Sequence, residues 1–288
     1  MGVRVVTDTS CDLPREVLDR LQITTVPLVV IIGTEAHADG ELSLDEYWRR
    51  VEVGDQPQTS QPSLGSYEAA YERLTNEGHQ VICITVTGEH SGTYSTAALA
   101  AERFGGQVTV FDSRSLSLGL GFQVQAAAEA AQKGHPLSAI TAMLTTMRER
   151  VDVTIVLETL ESLRRGGRAS AFIAAAERMA RILDVKVIIN TVDGRLRPLT
   201  AARSAKAALA RALKLVEGKG PLEKLGVIHA RSRERAAEVA DQLAARLGIP
   251  REEIPIAETG PALASHSGPG AIGLVTVVRP AQRGSASV

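Results

Sequence analysis

"HQVICITVTGEHSGTYSTAALAAERFGGQVTVFDS", residues 79–113, holds a complete strand–helix–strand pattern. His79–Thr87 is a run rich in β-branched residues, Ser91–Phe104 an alanine-rich helical stretch, and Gln107–Ser113 a second apolar run. An apolar run without polar alternation fits a strand covered on both faces, as in a parallel sheet. Parallel neighbours need a long crossover, and the intervening helix supplies one.

The same rhythm extends outward. Val3–Asp8 predicts a short buried strand. Residues 9–22 predict a helix, with Asp12 as its N-cap and Pro14 in the first turn, where a missing N–H does no harm. Ile23–Ile32 reads as another strand, and residues 117–134 as a helix closed by Gly134. Residues 1–150 are therefore expected to form a parallel α/β domain. Beyond residue 150 the pattern changes. Strands at 151–158, 224–230, 253–258 and 271–279 accompany helices at 204–218 and 231–248, and 159–183 is helical with a break at Gly166–Gly167. Asp193–Gly194 between two β runs signals a hairpin. Residues 151–280 are expected to form a mixed α+β domain, and 281–288 a flexible tail. With no linker between the two domains, a cleft or tunnel between or beneath them is the expected ligand site.

Composition narrows the function. The 288 residues are 44% hydrophobic and 23% charged, with a formal net charge of -1. Such a balance fits a soluble globular protein and offers no electrostatic footprint for nucleic acid. Aromatic residues make up only 3%, so the core must be aliphatic and no stacking platform for single strands is expected. No secretory signal and no apolar run of ~18 residues is found, so a cytoplasmic location is expected. Cys11 and Cys83 lack CxxC partners, so neither a metal site nor a disulfide is expected.

Four loops could carry chemistry. "VTDTSCD" (Val6–Asp12) ends the first strand, where open α/β sheets place ligands. "TSQPS" (Thr59–Ser63) offers the hydroxyls of Thr59 and Ser60, and Ser63 as a helix cap. In "SGTYSTA" (Ser91–Ala97), Ser91 opens a helix and Gly92 permits close approach, a setting suited to an anion. "ASHSGPG" (Ala264–Gly270) sets His266 in a stiff glycine turn before a buried strand. Each has a plainer use: Thr9, Ser10, Asp12, Ser63 and Ser91 are good caps, and a lone histidine often bonds a backbone carbonyl. Arg164, Arg165 and Arg168, with Arg203 and Lys206, lie near helix starts and could grip phosphate or simply face solvent.

Taken in order, "VTDTSCDLP", "TSQPS", "SGTYSTA", "DSRSLSLGLGFQV", "LRRGGR", "GRLRPL…AR" and "SHSGPGAIG" resemble the DegV family, which includes the fatty-acid-binding subunits of the bacterial fatty acid kinase. The likeness runs from Val5 to Val278. It implies a two-domain protein that buries a long-chain fatty acid, carries no other cofactor and is not itself an enzyme. By the same resemblance, hydroxyls matching Thr59 and Ser91, with Ser60 and Gly92 beside them, hold the carboxylate, and His266 sits next to it. Arg168 and Arg203 would lie on the surface where the kinase catalytic subunit docks to make an acyl-phosphate. Transient membrane contact would fit such a carrier. Departures from the family pattern are Glu89–His90 before the serine, where leucine is common before that serine, and Lys186–Val187 in place of Lys-Pro. The alternative is a serine hydrolase acting on acyl esters, with Ser91 as nucleophile, His266 as base and Asp8 or Asp112 behind it. Against it, the GxSxG elbow is missing. A nucleotide site lacks both GxGxxG and a Walker motif.

Overall fold

The computed structural model describes residues 2–162 and 185–280. In chain order the regular elements of the first half are β1 (Val3–Asp8), α1 (Arg15–Arg20), β2 (Thr24–Val26), β3 (Val29–Ile32), β4 (Glu35–Ala38), α2 (Leu44–Glu52), β5 (Gln58–Ser60), α3 (Leu64–Asn76), β6 (Gln80–Thr85), α4 (Thr93–Ala101), β7 (Val108–Asp112), α5 (Leu118–Gln132) and α6 (Leu137–Arg148). There follow β8 (Val151–Leu157), β9 (Lys186–Val192), β10 (Arg195–Ala202), α7 (Ala205–Glu217), β11 (Leu222–His229), α8 (Arg233–Leu247), β12 (Ile256–Glu258), α9 (Pro261–Ser267) and β13 (Ile272–Val278).

Three sheets result. The first, in the order β2-β1-β6-β7, is parallel throughout, as the opening motif predicts. The second, β10-β9-β8-β13-β11-β12, is antiparallel except for its β11–β12 pair. The fold is thus α/β with a parallel sheet and a mixed one, and Asp193–Gly194 does turn the β9–β10 hairpin. The outer strand β10 carries Pro198 at a register shift, which blunts a free sheet edge.

The third sheet, β4-β3-β5, is small and antiparallel. It corrects the expectation of one strand over residues 23–32. Pro27, which has no N–H to give a ladder, separates β2 in the first sheet from β3 in the third. Residues 33–57 supply β4 and α2, the latter with Leu44, Tyr47, Trp48 and Val51 at helical spacing. Ser43 caps α2 by accepting from the Glu46 amide, and Tyr47 and Trp48 are buried on its inner face. Ser63 caps α3 through the Ser66 amide, as expected from "TSQPS".

Helix α5 lies between the first and second sheets and is apolar nearly all round, as a helix covered on both sides must be. Leu118 and Phe122 join the core of the second sheet, and Leu120 and Val124 that of the first. Its glycines make this sandwich possible. A Cβ on Gly119 would lie 2.8 Å from the Val153 methyl, and one on Gly121 2.6 Å from the Cys11 carbonyl oxygen. The "SLGLGF" run therefore brings two layers closer than any larger residue permits.

Candidate functional site

Two adjoining apolar cavities, of about 110 and 70 Å³, lie where the three sheets meet. Leu116, Leu196, Leu263 and His266 line both, so these four side chains stand between them. The first cavity is completed by Leu28 and Val86 on its apolar side and by Ser10, Thr59, Ser60, Thr87, His90 and Ser91 on its polar side. The second is walled mainly by aliphatic residues of β8, β9, β11 and β13, among them Ile155, Leu157, Ile189 and Ile228. His229 also lines it, and burial lowers the pKa of its imidazole.

The polar end gathers residues far apart in the chain. Thr59 sits on β5, paired with Val30 of β3, and its Oγ1 lies 2.8 Å from His266 Nε2. His266 does not occupy the glycine turn expected from the sequence. It stands in the last turn of α9, and Gly268 and Gly270, both with positive φ, make the turn that follows. Ser91 Oγ accepts from the Thr93 amide and is 2.7 Å from Thr93 Oγ1, so it caps α4 while lining the cavity. Gly92 stands just behind: its Cα faces the Gln61 side chain, where a Cβ would meet Gln61 at 3.1 Å.

The geometry gives no support to a Ser91–His266 pair backed by a carboxylate. The His266 imidazole is engaged with Thr59, and the Ser91 hydroxyl with Thr93. The Asp8 carboxylate is taken up by Ser10 and the Val86 amide, and that of Asp112 by the Gly88 and Arg114 amides. Among the described residues no cluster of histidine, cysteine, aspartate or glutamate could hold a metal ion. No described helix is long and apolar enough to cross a membrane.

Glu89 and His90, the departures noted in the sequence, join the cavity to the β9–β10 hairpin. Glu89 pairs with Arg195 at 2.8 Å, His90 Nε2 accepts from the Leu196 amide at 3.0 Å, and Thr87 Oγ1 donates to the Gly194 carbonyl at 2.9 Å. Leu196, held in this way, forms part of the wall between the cavities. Arg203 is exposed just past the end of β10. Arg164, Arg165 and Arg168 lie outside the described residues.

Sequence reasoning missed the partition leucines and misplaced Asp12. That residue is not the N-cap of α1. It adopts a left-handed conformation with φ 48°, and its carboxylate accepts from Ser117 Oγ at 2.5 Å and from the Gly260 amide at 3.0 Å. Asp39 was not singled out. It is 7% exposed and accepts from Thr9 Oγ1 at 2.7 Å and from the Ala262 amide at 3.1 Å. No local signal marks such bonds, since each partner amide lies more than 200 residues away.

A parallel sheet and a mixed sheet meeting at apolar cavities, whose lining includes hydroxyls and an imidazole, define an α/β protein with an apolar pocket between its sheets. The DegV family model matches residues 2–279, and the chain belongs to that family. A DegV domain-containing protein of Staphylococcus aureus strain COL is 31% identical over 277 residues, which cover 95% of this chain and 98% of the relative. The structure is similar to that of a DegV family protein from Thermus thermophilus described by its fatty acid binding. The TM-score is 0.88 and the identity 32%, covering 97% of this chain and 100% of the other. It is also similar to DegV from Bacillus subtilis, described as a fatty acid binding protein, with TM-score 0.85, 30% identity, and coverage of 97% and 100%.

Proposed function

We propose that this protein is a cytoplasmic carrier that buries a long-chain fatty acid and presents its carboxylate to a partner kinase for acyl-phosphate formation. The observation that carries the proposal is the pairing of Thr59 with His266 in a cavity that sets hydroxyls beside aliphatic side chains. A buried carboxylate is costly unless hydrogen-bonded. If His266 Nε2 donates to Thr59 Oγ1, the threonine proton turns toward a carboxylate oxygen, and Ser60 and Ser91 offer further donors. Gly92 keeps the backbone behind Ser91 compact. The acyl chain runs past Leu116, Leu196 and Leu263 into the second cavity, each buried methylene contributing ~0.8 kcal/mol. The ligands named for the related structures support this reading.

In this scheme the protein is a substrate-presenting subunit and not a catalyst, and Arg168 and Arg203 serve kinase docking. Transient contact with a membrane would load and unload the lipid. Organic extraction of the purified protein followed by mass spectrometry tests the binding. A bound fatty acid in near-stoichiometric amount is expected, and protein free of lipid that also fails to take up added fatty acid would overturn it. Arg203→Ala is expected to spare that binding and slow acyl-phosphate formation by a reconstituted kinase; equal rates would remove the arginine from the docking surface.

A further inference from the structure

Helix α9 brings both Leu263 and His266 to the cavities, yet it is only two turns long and begins with Pro261, which has no N–H. A helix so short does not hold its own position. Its first turn is instead gripped from outside. The Gly260 amide donates to Asp12, from the loop after β1, and the Ala262 amide donates to Asp39, from the turn after β4. The second oxygen of each carboxylate is pinned by a hydroxyl, Ser117 for Asp12 and Thr9 for Asp39. Among the described residues neither aspartate has a cationic partner.

Two buried aspartates without a cation are a costly way to cap one helix, because serine caps as well without burying an ionisable group. What an aspartate adds is a second oxygen: one takes the amide at the start of α9 while the other takes a hydroxyl from a different element, so the helix start is tied to Ser117 and Thr9. Ala262 and His266 are four residues apart and so share a face of α9 about one turn apart. A shift of the first turn therefore moves the imidazole bodily relative to Thr59, where the present gap is 2.8 Å. Thr9 extends the link to the opposite wall, since its Oγ1 also accepts from the Leu28 amide at 3.1 Å.

We infer that Asp12 and Asp39 are positioning residues for the ligand carboxylate: by clamping the first turn of α9 they set His266 against Thr59. This rests on the fatty acid site proposed above. Neither aspartate touches the ligand in this scheme.

The test uses the full chain, a fluorescent fatty acid displaced by palmitate, and the NMR signals of the His266 ring. Asp12→Ala and Asp39→Ala are expected to raise Kd by up to about tenfold and to move the His266 signals, the loss of about one hydrogen bond. Asp12→Asn and Asp39→Asn, which keep an acceptor for each amide, are expected to restore both. Leu144→Ala, which hollows the core under α6 and lines neither cavity, is expected to lower thermal stability and leave Kd unchanged. Should an alanine variant not fold, Ser117→Ala, which unpins Asp12 without removing it, is expected to shift Kd and the His266 signals in the same direction. Wild-type Kd and His266 signals in the aspartate variants, with Thr59→Val still impaired, would overturn the clamp alone. Equal weakening in Leu144→Ala would also overturn it, by making affinity follow stability. Wild-type affinity in Thr59→Val as well would overturn the site itself, and the clamp with it.

Discussion

Thr59→Val removes one oxygen and little else. Valine has the same shape and the same preference for a strand, so β5 keeps its pairing with Val30 of β3. What disappears is the Oγ1 that lies 2.8 Å from His266 Nε2 and that, on the proposed function, faces the ligand carboxylate. The Thr59–His266 bond contributes ~0.5–1.5 kcal/mol to folding, so a small fall in melting temperature is expected. A hydrogen bond to a carboxylate contributes ~1.5–3 kcal/mol, which corresponds to a rise in Kd of roughly 10- to 150-fold. Ser91→Ala is a poorer probe because the same oxygen caps α4 through the Thr93 amide, and binding and helix stability would fall together. Displacement of a fluorescent fatty acid, run well below the melting temperature, reads Kd directly. A Thr59→Val protein whose Kd stays within about twofold of wild type would refute the placement of the carboxylate, since ~0.4 kcal/mol is too little for any charged hydrogen bond.

Gly121→Ala is expected to destabilise the protein by ~1–3 kcal/mol in urea titration, because the new Cβ would press on the Cys11 carbonyl, a backbone atom that cannot rotate away. An unchanged midpoint would show that α5 can lift from the first sheet without penalty. The carboxylate cluster gives stability a pH dependence. Burial pushes the Asp12 carboxyl up to about 8 and raises those of Asp8 and Asp39. A group whose pKa is raised in the folded state binds more protons there than in the unfolded chain, so its contribution is full below the unfolded value of 3.8 and is lost as pH rises through about 8. Thermal stability is therefore expected to decline between about pH 4 and 8, and less steeply in Asp12→Asn, as followed by melting curves; a slope unchanged by that substitution would mean that Asp12 is charged throughout the range.

The strand–helix–strand pattern of residues 79–113 was sufficient to predict the parallel sheet, because hydrophobic runs and helical spacing are local properties and buried parallel strands leave a plain trace of them. The β9–β10 turn was legible for a similar reason, since Asp193–Gly194 has a conformational preference of its own. Thr59, Ser60, Ser91 and His266 were picked out as polar residues at the ends of elements, and all four line one cavity. Their local settings were less legible. His266 proved to be helical because Pro261 starts a short helix that tertiary bonds complete, which a glycine-rich sequence does not announce. Asp12 looked like an N-cap because a capping aspartate and one reaching across 248 residues have the same local sequence. The leucines between the cavities were invisible as site residues, since an aliphatic side chain has the same character in a core or against a ligand. The sequence by itself thus determined the strands, the helices and the chemistry available at their ends, all set by interactions within a few residues. Tertiary structure alone decided that Thr59 meets His266 and that two aspartates hold α9. Those contacts join residues more than 200 positions apart, and only the packing of three sheets around α5 brings them within hydrogen-bonding distance.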